Sequence, residues 1–332
     1  MNIGFIMYEW EKVKPLFDTT LRMIHEAALR GHQVSIIYPN EMAIRRTIVW
    51  ANCRTIDHQD TYSEDIVQFY DEANLSEELR PLKEQDVIFL RDNPPLDNHL
   101  LNFLDTLENE VFFINSISGL RRANNKIYPA TLAALHDNDN EEGRLIPLTT
   151  VSRNKKYLKQ VIENYDKDKF ILKPMNGYGG SGVILLDKSS TTSKYNINSL
   201  IDFYIDSGAG NNFIILQEYV ETKLKGDVRV IMLNGEPIGA MRRIPASDDH
   251  RSNVHAGGSC VTHDLDEQQM KLCKILGPKL VEDGLYLVGI DLMGGKLIEV
   301  NVCSPGGFAE INEGNNTNLE AKVIDFVETL KR

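Results

Sequence analysis

The sequence predicts an open α/β domain in its first third, followed by a larger α+β portion built on antiparallel strand pairs. Three observations carry that expectation. "NIGFIM", "PLFDTTLRMIHEAALRG" and "HQVSIIY" read as a strand, a helix closed by Gly31, and a second strand, which is a βαβ opening. "DVRVIML" with "NGEPIGAMRRIP", and "LYLVGIDLM" with "GGKLIEVNV", read as strand pairs joined by Asn-Gly and Gly-Gly turns. At 332 residues the chain exceeds the usual single-core size, so two or three domains are expected.

In chain order, "DVIFLR", the helical "NHLLNFLDTLEN" and "VFFIN" continue the α/β pattern, giving a first domain over residues 1–124. Between 40 and 85 the chain holds helical fragments and polar stretches, and the pattern places no strands there. "HDNDNEEGR" at 136–144 reads as a surface loop, "KKYLKQVIENY" as a helix, and "KFILKP" and "FIILQEYV" as strands. A last helix is expected from Leu319 to Lys331.

Composition narrows the function. With 42% hydrophobic, 25% charged and 8% aromatic residues, the chain has an ordinary globular make-up. Its formal net charge of −12 repels polyanions, and no basic patch overrides it, so a nucleic-acid partner is not expected. Cys53, Cys260, Cys273 and Cys303 lack metal-site or disulfide-framework spacing and suit reduced thiols in the cytoplasm. "MNIGFIMYEW" carries no export signal pattern, and no apolar run is long enough to span a bilayer.

"KPMNGYGGSGVILLD" contains Gly177-x-Gly179-x-x-Gly182. A dinucleotide fingerprint must open a helix, whose N-terminal amides hold the pyrophosphate. Here "VILLD" follows, which is strand composition, and no Lys-Ser or Lys-Thr completes a Walker loop. What remains is a glycine turn between two strands, either a simple hairpin or a flap whose backbone N–H groups cover phosphates.

The second glycine turn sits among oxygen ligands. If Gly294 to Lys296 form a three-residue loop, Asp291 falls opposite Glu299, and Asn301 shares their face. A two-residue turn would send Asp291 to the other face. Two carboxylates and an amide suit Mg²⁺. A similar ambiguity holds for the Asn234-Gly235 hairpin: a strict two-residue turn puts Arg229 on the face of Arg242 rather than Arg243.

Taken together, "LRDNPPLD", "INSISGLRRANNKIY", "ILKPMNGYGGSGV", "LQEYV", "GDVRVIMLNGEPIGAMRRIP", "RSNVHAGGS", "LGPKL" and "LVGIDLMGGKLIEVNVCSP" resemble the prokaryotic-type glutathione synthetase family of the ATP-grasp superfamily, in family order across most of the chain. The resemblance implies an ATP-grasp fold behind the N-terminal α/β domain, with a central subdomain over 125–215 and a C-terminal one over 216–332. It implies a ligase that joins γ-glutamylcysteine and glycine through an acyl phosphate, using ATP and Mg²⁺, or Mn²⁺ in its place. A cytoplasmic homo-oligomer, dimer or tetramer, acting on small molecules is implied with it.

By that resemblance Lys126 and Lys173 hold ATP phosphates, and Tyr178, Gly179, Gly180, Ser181 and Gly182 cover them. Gln217, Glu218, Tyr219 and Val220 form the adenine hinge, and Asp227 lies near the ribose. Arg229 and Arg243 stabilise the transferred phosphoryl group, with Asp291, Glu299 and Asn301 as metal ligands. Arg251 and Asn253 grip substrate carboxylates, while His255 is a positioning or surface residue rather than a base. Ser304, Gly306 and Gly307 join the substrate side, and Asp18 and Arg91 are added to it by their place at the ends of elements in the first domain, where ligands of open α/β sheets gather. One departure stands out: "GGFAEI" puts Ala309 where the best-known bacterial members carry an arginine, which leaves a related ligase with another acceptor as the alternative.

Overall fold

The computed structural model describes residues 1–135, 143–175, 181–189, 191–222, 225–245 and 258–330, with the backbone alone over 191–195. The βαβ opening forms from β1 (Asn2–Ile6), α1 (Thr19–Leu29) and β2 (Gln33–Arg45), with β1 and β2 parallel. Helix α1 starts at Asp18, whose carboxylate accepts from the Leu21 N–H, and buries Leu21, Ile24 and Ala28 on one face. Gly31 follows its end with φ +74, a conformation glycine adopts at little cost.

Strand β2 runs beyond the core into a hairpin with β3 (Ile48–Ile56), turning at Arg46 and Thr47 with φ 49 and 67. Such a turn usually carries Asn or Gly, so the composition concealed it and left 40–85 unread. Next come α2 (Ile66–Glu72), β4 (Leu75–Pro81), β5 (Val87–Leu90), α3 (Asn98–Asp105), β6 (Phe112–Ile114) and α4 (Ile117–Ala123). The first sheet has the order β4-β3-β2-β1-β5-β6, parallel through β2, β1, β5 and β6 and antiparallel at its β3 and β4 edge.

After the short α5 (Tyr128–Thr131), the chain forms β7 (Thr149–Ser152), α6 (Lys155–Asn164), β8 (Lys169–Pro174), β9 (Ile184–Asp187), α7 (Thr191–Asp206) and β10 (Ile214–Glu218). These strands make a second sheet, β7-β10-β8-β9, whose core joins Leu158 of α6, Leu172 of β8 and Ile201 of α7. Strands β8 and β9 are antiparallel, so the glycine-rich segment links two strands and opens no helix. Most of the expected 136–144 loop lies outside the described residues.

The third sheet, β13-β12-β11-β14-β15, contains β11 (Asp227–Leu233), β12 (Glu236–Ile244), β13 (Ser259–Thr262), β14 (Leu287–Met293) and β15 (Lys296–Asn301). Helix α8 (Glu267–Glu282) precedes β14, and α9 (Phe308–Asn315) and α10 (Leu319–Thr329) end the described chain. The first and third sheets share hydrophobic cores: Phe5, Ile24 and Phe89 pack in one cluster with Ile231, Leu319 and Val323.

Asn115 fastens that junction. Its side chain donates to Leu287 O at 2.8 Å and Val302 O at 2.9 Å, and accepts from the Leu287 N–H at 2.7 Å. The amide therefore holds the start of β14 and the residue just beyond β15 to the end of β6. Asn115→Leu should strip partners from these buried backbone groups and destabilise the chain by about 3 kcal/mol, read as a lower urea midpoint with an unchanged slope.

Candidate functional site

Both hairpins of the third sheet turn in two residues, Asn234-Gly235 and Gly294-Gly295, all with positive φ. Of the two turns open at Gly294 to Lys296 the two-residue one forms, since Met293 pairs with Lys296 rather than Leu297. The register then shifts, so that Asp291 pairs with Glu299 while Leu292 pairs with Leu297, leaving Ile298 as the extra residue. The same irregularity leaves Ile238 unpaired in β12, because Met232 pairs with Pro237 but Ile231 with Gly239. Each bulge reverses the facing of every residue beyond it. Asp291 thus shares a face with Glu299 and Asn301, and Arg229 shares one with Arg243 rather than Arg242.

Across β11 and β14, Arg229 lies directly opposite Asp291. The pair is bidentate, with Nε to Oδ1 at 2.5 Å and Nη2 to Oδ2 at 3.0 Å. Arg243 donates to both oxygens of Asp227, at 2.8 and 2.6 Å, and its Nη2 lies 3.0 Å from Asp291 Oδ2. Burial alone would raise Asp291, but the two arginines hold it below the ordinary carboxylate range. Burial works against the charge of Arg243 as well, and Asp291 and Asp227 keep it protonated. Gly289 makes room: a Cβ there would sit 3.2 Å from Arg229 Nη1.

Glu299 stands apart from this network. Burial, then the charge of Asp291, pushes its pKa up, with Lys173 and Lys126 opposing. A half-buried carboxylate raised in this way, beside Asp291 and the Asn301 amide, is short of positive charge, and that donor set fits a hard divalent cation. Asn301 Nδ2 donates to Asp291 Oδ2 at 3.2 Å. Among the described residues no three His, Cys, Asp or Glu side chains converge as a metal site, since the third oxygen here belongs to an asparagine.

Lys173 on β8 and Gln217 on β10 are diagonal neighbours, joined from Nζ to Oε1 at 2.8 Å, and Gln217 Nε2 donates to Thr149 Oγ1 at 2.9 Å. Burial pushes Lys173 down to about 8 despite Glu299, with Lys126 adding to the fall. Lys126, between α4 and α5, is lowered by burial and feels Glu299 too. Two lysines from the N-terminal side of the second sheet and from its strand β8 therefore face the acidic end of the third sheet.

The segment expected as the adenine hinge is well anchored. Glu218 is buried, its carboxylate paired with Lys167 and accepting from the Leu148 N–H, while its own N–H donates to Leu148 O at 2.8 Å. Its N–H is thus spent. The N–H of Tyr219 points to Lys169 O at 3.4 Å, and Lys169 Nζ sits 5.7 Å from the Tyr219 ring centre, with half-buried Val220 following. Of the glycine turn, Ser181 and Gly182 are described; Gly182 has φ +70, and its carbonyl accepts from Tyr204. Tyr178, Gly179, Gly180, Arg251, Asn253 and His255 lie outside the described residues.

A second group gathers at the C-terminal ends of the first sheet. Arg91 follows β5 and is buried, with Nε to Thr20 Oγ1 and Nη2 to Pro305 O, both at 3.1 Å. Asp18 accepts from the Tyr8 hydroxyl. Ser304 (φ 47) donates to Asp92 O at 2.8 Å, and Gly307 (φ 105) begins α9, where a Cβ would meet Met241 Cε at 2.6 Å. Gly306 lies beside Thr19. Tyr8, Thr19, Thr20 and Thr149 were not read from the sequence. Lone hydroxyls give no spacing signal, although Tyr8 and the two threonines follow a parallel strand, where ligands of such sheets collect.

Comparison with known proteins identifies the family. Residues 1–121 match "Prokaryotic glutathione synthetase, N-terminal domain", and residues 139–316 match "Prokaryotic glutathione synthetase, ATP-grasp domain". Curated relatives named glutathione synthetase include one from Gloeobacter violaceus, 33% identical over 98% of this chain and 96% of that protein. Another, from Synechocystis, is 33% identical over 99% of both. Among solved structures, D-cycloserine synthetase superposes with a TM-score of 0.65 at 15% identity, covering 99% of this chain and 100% of that one, which speaks to the fold alone. With the fold, both family matches and full-length relatives in accord, the chain belongs to the prokaryotic glutathione synthetase family.

Proposed function

We propose that this chain is the ATP-dependent ligase that joins γ-glutamylcysteine to glycine, releasing glutathione, ADP and phosphate through an acyl phosphate. The observation that carries the reading is the meeting of Lys126 and Lys173 with the Arg229, Arg243, Asp291 and Glu299 face. Cations converging from separate elements on buried carboxylates are what phosphoryl transfer needs, because its catalysis is mostly positioning and charge neutralisation.

A carboxylate is a poor electrophile until one oxygen becomes a phosphate leaving group. In this reading the cysteinyl carboxylate oxygen attacks the γ-phosphorus of ATP and ADP departs; the glycine amine then attacks the carbonyl carbon, and phosphate leaves. Lys126 and Lys173 hold the phosphates, Gln217 keeps Lys173 in place, and Tyr178 to Gly182 close over them. Glu218, Tyr219 and Val220 meet the adenine, and Asp227 orients Arg243 as well as lying on the ribose side. Arg243 and Arg229 neutralise charge that builds on the transferred group. Asp291, Glu299 and Asn301 would hold the divalent cation the family uses, with Mg²⁺ as the ion and Mn²⁺ as a substitute. Such an ion, when bound, neutralises phosphate oxygens.

Arg251, Asn253, Ser304, Gly306 and Gly307 belong to the substrate side in this proposal. The division into 1–124, 125–215 and 216–332, a cytoplasmic setting and a homo-oligomeric state are proposed with it. Among the described residues no helix is long and apolar enough to cross a membrane.

Incubation with ATP, Mg²⁺, γ-glutamylcysteine and an equimolar amino-acid mixture should yield γ-glutamylcysteinylglycine as the main product by mass spectrometry. A dominant product ending in another residue would leave the ligase chemistry standing and overturn glycine as the acceptor. Arg243→Lys keeps the charge but loses the fork that grips Asp227 and Asp291, so kcat should fall about 100-fold with KM for ATP within threefold. The pH dependence follows from Lys173. Below pH 8 the unliganded protein already carries the proton that phosphate prefers, whereas above it binding must take one up. Calorimetric affinity for Mg²⁺-ADP should therefore decline from pH 8 to 9.5 by up to about tenfold per unit, and flatten in Lys173→Arg.

A further inference from the structure

Lys126 is carried by the short connection between α4 and α5, and one buried carboxylate grips that connection from both sides. Asp283, 7% exposed, follows α8. Its Oδ1 accepts from Nη1 of Arg122, in α4 ahead of Lys126, and its Oδ2 accepts at 2.8 Å from the hydroxyl of Tyr128, the first residue of α5 behind it. Lys279, one turn back in α8, donates to Oδ1 at 2.9 Å. Burial alone would raise Asp283, but Lys279, Tyr128 and Arg122 hold it below the ordinary carboxylate range. Tyr128 is 2% exposed, and Asp283 is what satisfies its buried hydroxyl.

Asn125 closes the same connection locally. Its Oδ1 accepts from the N–H groups of Ile127 and Tyr128, both at 3.0 Å, and its Nδ2 donates to Arg122 O at 2.7 Å. One amide thereby bridges the backbone on either side of Lys126. Helix α4 also sits close against the link between α8 and β14: a Cβ on Gly119 would lie 2.4 Å from Asp283 O, and the Ser116 N–H donates to Gly284 O at 2.9 Å. That link leads into β14, the strand of Asp291. Lys126 itself is half-buried and within the field of Glu299.

We propose that Asp283 is the positioning residue for Lys126, gripped by Arg122 and Tyr128 so that the ammonium is delivered to the ATP phosphates in register with Asp291 and Glu299. This rests on the function proposed above. A lysine is a point charge on a flexible stem, so what a fold can fix is the backbone from which the stem departs. Asp283, Arg122 and Tyr128 act only through that backbone. Loosening the grip therefore costs phosphate affinity and leaves the dipeptide donor untouched.

The test is a double-mutant cycle in the full-length protein, read by calorimetric affinity for Mg²⁺-ADP, which needs no ligation. Lys126→Ala should weaken that affinity about 30-fold. Tyr128→Phe should weaken it about tenfold and raise KM for ATP in proportion, with KM for γ-glutamylcysteine within about twofold. Arg122→Gln alters a side chain 61% exposed, which the fold tolerates, and should weaken affinity about threefold. In a Lys126→Ala background both losses should shrink below about twofold, because no ammonium is left to place. Losses of the same size with and without Lys126, or an equal rise in KM for ATP and for the donor, would reveal general loosening and overturn the positioning role. Unchanged affinity in both variants would overturn it too. These failures leave the functional reading standing, whereas an unchanged affinity in Lys126→Ala alone removes Lys126 from the phosphate site and takes the positioning role with it.

Discussion

One extra residue in each of two hairpins governs the chemistry of this chain. Ile298 and Ile238 interrupt otherwise regular antiparallel ladders, and each interruption rotates the strand beyond it by one side-chain position. Without them Asp291 would face away from Glu299, and Arg243 away from Arg229. Because a strand has a period of two, no smaller adjustment could bring these groups to one face. The bulges leave the tight glycine turns intact and change only what happens afterwards.

That shared face would be costly to build without mutual satisfaction. Asp291 and Arg243 are 2% and 6% exposed, so each ion must be answered by another inside the fold. Two arginines and two aspartates answer one another in bidentate fashion, which holds each guanidinium in a set orientation. Glu299, Lys173 and Lys126 sit beside this closed network with shifted pKa values. Charges left incompletely matched are those positioned for a charged ligand to complete.

The first and third sheets act as one body where it matters. They share hydrophobic clusters, Asn115 ties β6 to β14 and to the end of β15, and Arg91 reaches Pro305 in the loop that follows the asparagine ligand candidate. The α1 end of the first sheet is thereby held in register with the arginines of the third. The second sheet supplies Lys173 and the anchored Glu218 from a core of its own.

Much of the architecture was legible in the amino acids: the βαβ opening, the strand character of "VILLD" and both glycine hairpins depend on local periodicity and turn chemistry. The β2–β3 hairpin was not, because Arg46 and Thr47 adopt left-handed φ without the residues that normally announce it. The site residues were named from motif order, yet the face each one presents rests on unpaired isoleucines that look like any others in a strand. By itself, then, the sequence determined which elements form and which charged groups are on hand, since those follow from contacts a few residues apart. Tertiary structure alone decided which groups meet and which of them, like Arg91 Nη1 and Thr19 Oγ1, are left unpartnered among the described residues, because register and burial are set by neighbours distant in the chain.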